Sequence, residues 1–182
     1  TELKLTSEAS DATDYYVFYG PSIDRVIQIY RGMPGEAPLF GRWAYGFVQS
    51  KDRYRSAKQL LDIAAVYREK KTPLDFIVQD WFWWERQGDP QYSAEYLKPW
   101  PDVPAALERL HGEKVHAMIS VWAKFDTSSH NYQEMKKLGL IVPGTDIYDA
   151  TNPAARDYYW KHLVGVKFAE GWDGFWLDSS EP

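Results

Sequence analysis

The sequence predicts an α/β fold built on a parallel sheet. Three observations predict it. From about residue 40, short apolar runs of strand type alternate with stretches whose apolar residues recur at helical spacing, giving β-α-β-α-β-α-β. Turn or capping residues close each run. The 182 residues are 45% hydrophobic, enough for the core of one domain or of a piece of a larger one.

Residues 1–14 are polar and read as a tail or the end of a preceding element. Tyr15-Tyr16-Val17-Phe18-Tyr19 reads as a short strand. Gly20-Pro21-Ser22 turns it, and Ser22 is placed to cap a helix from Ile23 to about Arg31, with Ile23, Val26, Ile27 and Tyr30 at helical spacing. Gly32 to Pro38 holds two Gly and two Pro and reads as a linker. The expected organisation is therefore a lead-in over residues 1–40 and a main unit over 41–182.

In the main unit, Arg42 to Val48 is expected as a strand. Ser56 to Lys70 is expected as a helix with Leu60, Leu61, Ala64, Ala65 and Tyr67 on its apolar side, stopped by Thr72-Pro73. Leu74 to Val78 is an apolar run of buried-strand type, ending at Gln79-Asp80. A long Trp-rich loop follows, to about Pro101. Asp102 is placed to cap a helix with Pro104 in its first turn, running to His111. Val115 to Val121 is the next strand. Asn131 to Leu138 is a short helix closed by Gly139. Thr151 or Asn152 caps a helix with Pro153 at its start, running to about Glu170. Phe175-Trp176-Leu177 is the fourth strand, and Asp178 ends it.

Composition excludes several function classes. The net charge is −5, which argues against nucleic acid and anionic membrane as partners. No apolar run reaches the length of a membrane-spanning helix, and Thr1-Glu2-Leu3-Lys4 has no secretory pattern. With no cysteine, a disulfide scaffold, a thiolate metal site and a thiol nucleophile are excluded, while the compartment stays open. No phosphate-binding glycine loop and no Gly-x-Ser-x-Gly elbow occurs. His111, His116, His130 and His162 show no metal-ligand spacing, so no metal and no cofactor is expected.

The aromatic content is the anomaly. Nine Trp, thirteen Tyr and eight Phe make 16% of the chain. Most belong in a core, but flat rings beside carboxylates also suit a sugar site, the rings stacking on the apolar faces of pyranoses. Parallel α/β folds place their chemistry at the carboxyl ends of the strands. The polar residues there are Gln49, Asp80, Trp122 with Lys124, and Asp178. Asp80 closes one strand and opens Trp81-Phe82-Trp83-Trp84. Asp178 stands just past the fourth strand, where its neighbours are expected to be desolvated; Asp178-Ser179-Ser180-Glu181 equally fits a helix capping box.

Four segments carry a resemblance. Gly41-Arg42-Trp43-Ala44-Tyr45-Gly46-Phe47, Pro73 through Trp81, Tyr148 through Pro153, and Asp173 through Asp178 resemble glycoside hydrolase family 31, in that family's order. The Trp-rich second segment and the ending Trp-Leu-Asp-Ser-Ser-Glu-Pro resemble most the α-xylosidases that act on xyloglucan oligosaccharides; α-glucosidases and transglucosylases of the same family are the alternative. The resemblance implies a (β/α)₈ catalytic barrel, here its N-terminal half of about four parallel strands. It implies a retaining mechanism in which Asp178 is the catalytic nucleophile. By the same resemblance Asp80 binds hydroxyls of the cleaved sugar and Trp122 and Trp176 line that site; Trp81, next to Asp80, and Lys124, past the third strand, are further substrate-binding candidates by position.

A whole barrel takes about 250 residues. The resemblance puts the acid/base carboxyl after the nucleophile, beyond these residues. The expectation is a piece of a longer enzyme, or a fragment that pairs with itself or its missing half, without normal turnover alone. Its partner is an oligosaccharide substrate. Two readings from other classes stand beside it: a carbohydrate-binding module that stacks a glycan on Trp81, Trp83 and Trp84, and a plain scaffold with an aromatic core.

Overall fold

The computed structural model describes residues 4, 6, 12 and 14–180. Most of the polar 1–14 stretch and Glu181, the last member of the suspected capping box, lie outside the described residues. The chain forms two compact units, Thr1–Phe40 and Gly41–Pro182.

The first unit contains one helix, α1 (Ile23–Gly32), among its described residues. The Ser22 hydroxyl accepts the Arg25 amide at 3.3 Å and so starts it. The expected strand over residues 15–19 does not form; the segment is irregular. Aromatic residues favour strands only when a neighbouring strand completes the ladder, and among the described residues none pairs with it. Phe18 instead meets Tyr30 of α1 edge-on, with ring centroids 5.5 Å apart.

In the second unit, the expected strand over 42–48 is mostly a 3₁₀ turn, Arg42–Tyr45, followed by the two-residue strand β1 (Val48–Gln49). The Phe47 amide is captured by the Asp75 carboxylate at 3.0 Å, so the chain joins the ladder only at Val48. Helix α2 (Ala57–Glu69) is capped by Ser56, which accepts the Gln59 amide. Ala57, Leu60 and Ala64 are buried. Ala65 is exposed, because one residue past Ala64 is a rotation of about 100° away from that stripe. The helix ends before Thr72-Pro73, where Lys71 turns left-handed at φ 54°.

Strand β2 (Phe76–Gln79) is buried throughout. The Trp-rich stretch after it is not structureless. A Trp84–Tyr92 bridge and a short helix, α3 (Ala94–Leu97), order it. Helix α4 (Val103–Gly112) starts at Asp102, whose carboxylate accepts the Ala105 amide at 3.0 Å, and it leads to β3 (His116–Ser120). Helix α5 (His130–Lys137) begins one residue earlier than expected because Ser129 caps it through the Tyr132 amide.

The long helix expected from Pro153 is broken into parts. Asn152 caps α6 (Pro153–Tyr159). A π-helical turn, Trp160–Val164, follows, and α7 (Gly165–Ala169) resumes after it. The Gly165 amide donates to the Trp160 carbonyl. A Cβ at Gly165 would lie 2.8 Å from that oxygen, so the wide turn depends on the missing side chain. Strand β4 (Gly174–Trp176) closes the order.

All four strands are parallel, in the order β1-β2-β3-β4. The register aligns Val48 with Phe76, Ile77 with Ala117 and Ile119 with Phe175. Ile77, Ala117 and Ile119 are fully buried, and Leu60, Ala64, Leu107 and Leu110 of α2 and α4 belong to the same core. Four parallel strands with intervening helices are half of a (β/α)₈ barrel.

This core contains a cation. Lys167 of α7 is wholly buried. Its Nζ lies 3.1 Å from both oxygens of Glu170, 3.5 Å from the centre of the Tyr92 ring and 4.9 Å from that of Trp83. The Tyr92 hydroxyl donates to Glu170 and accepts the Trp172 N–H. Burial pushes the Lys167 ammonium down to about 8, against the pull of Glu170.

Candidate functional site

Parallel strands bring all their carboxyl ends to one rim. Residues one or two positions past a strand therefore meet there, however far apart they are in sequence. Asp80 is the first residue after β2, and Asp178 the second after β4. Both stand at this rim, and the Asp178 charge is among the influences that raise the Asp80 pKa.

Asp80 is half-buried, and one of its oxygens accepts the Trp81 amide at 2.8 Å. Burial is the main force raising its pKa. The charges of Asp178 and Asp52 add to it, and the Trp81 amide opposes. Behind it, Gln79 is fully buried and ties the strand end in place. Its amide donates to the carbonyls of Tyr54 and Asp80, and its oxygen accepts the Tyr96 hydroxyl at 3.0 Å.

Asp178 is exposed, as are Trp176 and Leu177. The sequence reading expected desolvated neighbours. Among the described residues β4 has a strand partner on one side only, which leaves its end open. The Asp178 carboxylate accepts the Ser179 amide at 2.8 Å.

The indoles divide into two groups. Trp83 and Trp84 are buried; the Trp83 N–H donates to the Ser120 carbonyl at 2.9 Å. Trp83 is a core residue and Trp84 shows only a small part of its surface, so three indoles do not form one exposed stacking platform. Trp81 and Trp122 are half-buried and stack at 5.4 Å with 23° between planes. The Trp122 N–H is buried without a partner. Phe82, left-handed at φ 57°, is exposed beside Trp81. Trp176 ends β4, aligned with Ser120 of β3. Lys124 is turned to Asp146, at 3.5 Å.

Two residues of this rim escaped the sequence reading. The Asp52 carboxylate accepts the Trp81 indole N–H at 2.6 Å, fixing that ring. The Arg53 guanidinium lies 4.8 Å from the Phe82 ring centre and 5.8 Å from that of Trp81. Both sit in the Lys51–Arg55 turn, where the only local signal is a polar run. A cavity of ≈ 270 Å³ opens next to them, lined by Arg53, Phe82, Trp84 and Tyr96 among others. A larger cavity, ≈ 650 Å³, is lined by residues between Thr127 and Asp146 and by neither rim carboxylate. Its size says nothing about the chemistry.

Comparison with known proteins fits this geometry. The family model described as "Glycosyl hydrolases family 31 TIM-barrel domain" matches residues 37–182. An α-xylosidase of Saccharolobus solfataricus is 36% identical over 181 residues, covering 100% of this chain and 24% of the relative. The crystal structure of a family 31 α-xylosidase from a soil metagenome, complexed with xylose, superposes with a TM-score of 0.73 at 34% identity over 81% of this chain and 23% of that one. The family 31 α-xylosidase of Xanthomonas citri gives a TM-score of 0.79 at 30% identity, over 89% of this chain and 19% of that one. The chain thus spans about a quarter or less of each of these three relatives. The chain belongs to glycosyl hydrolase family 31, and its four parallel strands are part of that family's TIM-barrel domain.

Proposed function

We propose that this chain supplies the nucleophile side of a retaining α-glycosidase that removes terminal α-linked xylose from oligosaccharides. The observation that carries the reading is the placement of Asp80 and Asp178 just past two parallel strands of one sheet, at its carboxyl rim, beside the stacked Trp81 and Trp122. The xylose-complexed relative supports the choice of sugar.

In this reading an Asp178 oxygen attacks the anomeric carbon. The glycosidic C–O bond breaks as a separate carboxylic acid protonates the leaving oxygen, and a covalent xylosyl ester remains. The same second carboxyl then takes a proton from water, which opens the ester with net retention. The two groups of such a pair stand about 5–5.5 Å apart.

Asp80 is not that second group. Held by Trp81 and by the strand end, it accepts hydrogen bonds from sugar hydroxyls, and these strengthen as the ring flattens in the transition state. Trp81, Trp122 and Trp176 provide apolar faces for the pyranose. Lys124 reaches a hydroxyl by leaving Asp146, an exposed pair worth about 0–1 kcal/mol. The acid/base comes from outside these residues, so the 182-residue chain alone does not turn over.

The test is active-site trapping in the whole enzyme with a fluorinated α-xylosyl fluoride, followed by peptide mass mapping. A covalent adduct on Asp178, absent in Asp178→Ala, is expected. An adduct on any other carboxylate would remove Asp178 from the role. Faster turnover of an aryl α-glucoside than of the matching α-xyloside would correct the sugar.

A further inference from the structure

At the opposite, amino-terminal end of the sheet, three metal-ligating side chains converge that no local sequence spacing connects. His111 comes from the last turn of α4, His116 is the first residue of β3, and Asp173 immediately precedes β4. Their ligand atoms all lie within 4.8 Å of one another. Asp173 Oδ2 is 2.7 Å from His111 Nε2, and Asp173 Oδ1 is 3.0 Å from His116 Nδ1. We propose that His111, His116 and Asp173 bind a divalent transition-metal ion, with zinc as the reference ion.

Three features distinguish this cluster from a chance surface grouping. First, its members are held from outside. The Trp43 indole stacks on the His116 ring at 4.1 Å with 21° between planes. The Ala117 amide donates to Asp173 Oδ2 at 2.9 Å. The orientation of one imidazole and of the carboxylate is thus fixed independently of any ion, as a metal site needs.

Second, His116 Nδ1 is buried and has no aligned hydrogen bond. It is close enough to Asp173 for an ion-pair contact but out of line for a directed bond. A buried nitrogen left without a directed partner calls for an explanation, and a metal ion would supply one.

Third, the donor chemistry and size fit. Two imidazole nitrogens and one carboxylate suit zinc, cobalt, nickel or copper, and not calcium or magnesium, which take oxygen donors. With metal–ligand bonds of about 2.0–2.2 Å, the edges of a tetrahedral zinc site are about 3.3–3.5 Å. The two His–Asp distances must therefore widen by roughly half an ångström. The half-exposed His111 can move to widen its own distance, and the His116–Asp173 separation, already 3.0 Å, needs the smaller change.

Three protein ligands leave a fourth position for water. The strand-end chemistry lies at the other end of the sheet, so the ion's effect here is mechanical. It would strap the end of α4 to the starts of β3 and β4, and binding to the folded state alone would raise stability.

The experiment is calorimetric titration of the chelator-treated whole protein with zinc chloride, alongside titration with cobalt(II) read by visible absorption. Expected are one equivalent of saturable binding, a tetrahedral cobalt band and a melting temperature that rises with zinc. His111→Gln, at a partly exposed position, should keep the fold, weaken zinc binding at least about tenfold and abolish the cobalt band. Asp173→Asn should do the same where it folds. His130→Asn, on the exposed first turn of α5, should change nothing. A Kd no better than about 1 mM for the unaltered protein, or binding that survives His111→Gln, would overturn the proposal.

Discussion

The two halves of the buried ion pair should respond to mutation with opposite signs. Lys167 has no exposed surface, and its pKa falls from 10.5 to about 8 because burial outweighs the attraction of Glu170. A depression of about 2.5 units corresponds to about 3 kcal/mol held against folding while the lysine is charged. Lys167→Met fills similar volume without the charge. It forfeits the ammonium–ring contacts to Tyr92 and Trp83, worth about 1–2 kcal/mol. Glu170 is partly exposed and keeps the Tyr92 hydroxyl, so it is not stranded. The expected net change at pH 7 is a gain of about 1–2 kcal/mol.

Glu170→Gln does the reverse. It leaves the ammonium unpaired in the core and should cost about 3 kcal/mol. The sign of the pH dependence follows from the depressed pKa. Below about pH 8 the lysine is charged in both folded and unfolded chains, and the penalty is complete. Between about 8 and 10.5 only the unfolded chain keeps the proton, so the penalty fades as pH rises. Tyr92 and Tyr96, whose phenols burial and then the Glu170 charge push well above their usual range, are kept in both proteins, so the pH dependence they add near pH 10 is common to variant and parent. Urea unfolding followed by tryptophan fluorescence at pH 7 and pH 10 measures both variants. A Lys167→Met protein that is less stable than the parent at pH 7, or an advantage that does not shrink at pH 10, would refute the reasoning.

Two further outcomes are expected. Asp52→Asn keeps an acceptor for the Trp81 indole but removes a charge that raises the Asp80 pKa; the acidic limb of the kcat/KM–pH profile should move to lower pH. Gly88→Ala places a methyl 1.9 Å from the Phe125 ring at φ 96°; thermal unfolding should show a loss of at least about 3 kcal/mol, and a loss below about 1 kcal/mol would mean that the ring yields easily.

The helices were largely legible because their signals are local. Ser22, Ser56, Asp102 and Asn152 each cap where their residue type and the following spacing place them. The β2 and β3 runs were legible because their middles, Phe76-Ile77-Val78 and Ala117-Met118-Ile119, are apolar, as parallel strands under helices are. Residues 15–19 and 42–48 were misread for one reason. Their aromatic runs carry strand propensity, but a strand exists only where a neighbour completes it. In the first case none does among the described residues, and in the second Asp75 takes the Phe47 amide first.

The rim was half legible. The rule that strand ends share one face places Asp80 and Asp178 together, but it cannot tell a stacked surface indole from a core one. Trp81 and Trp83 differ by two positions, and their fates differ through contacts with Asp52 and Ser120 that lie far away in sequence. The His111–His116–Asp173 cluster was invisible for the same reason. Asp173 lies 62 residues along the chain from His111 and nearly as far from His116, and only the parallel register brings the start of β4 beside the turn between α4 and β3.

The wide turn at residues 160–164 has a consequence for how this segment can vary. It lodges one surplus residue in an otherwise regular helix, so everything after it is re-phased by about 100°. That offset is what aims Lys167 inward at its aromatic box. Shortening the turn by one position would swing α7 back, bringing a different side chain to face Tyr92 and turning the ammonium toward water. Sequence drift here is constrained less by which residues occur than by how many.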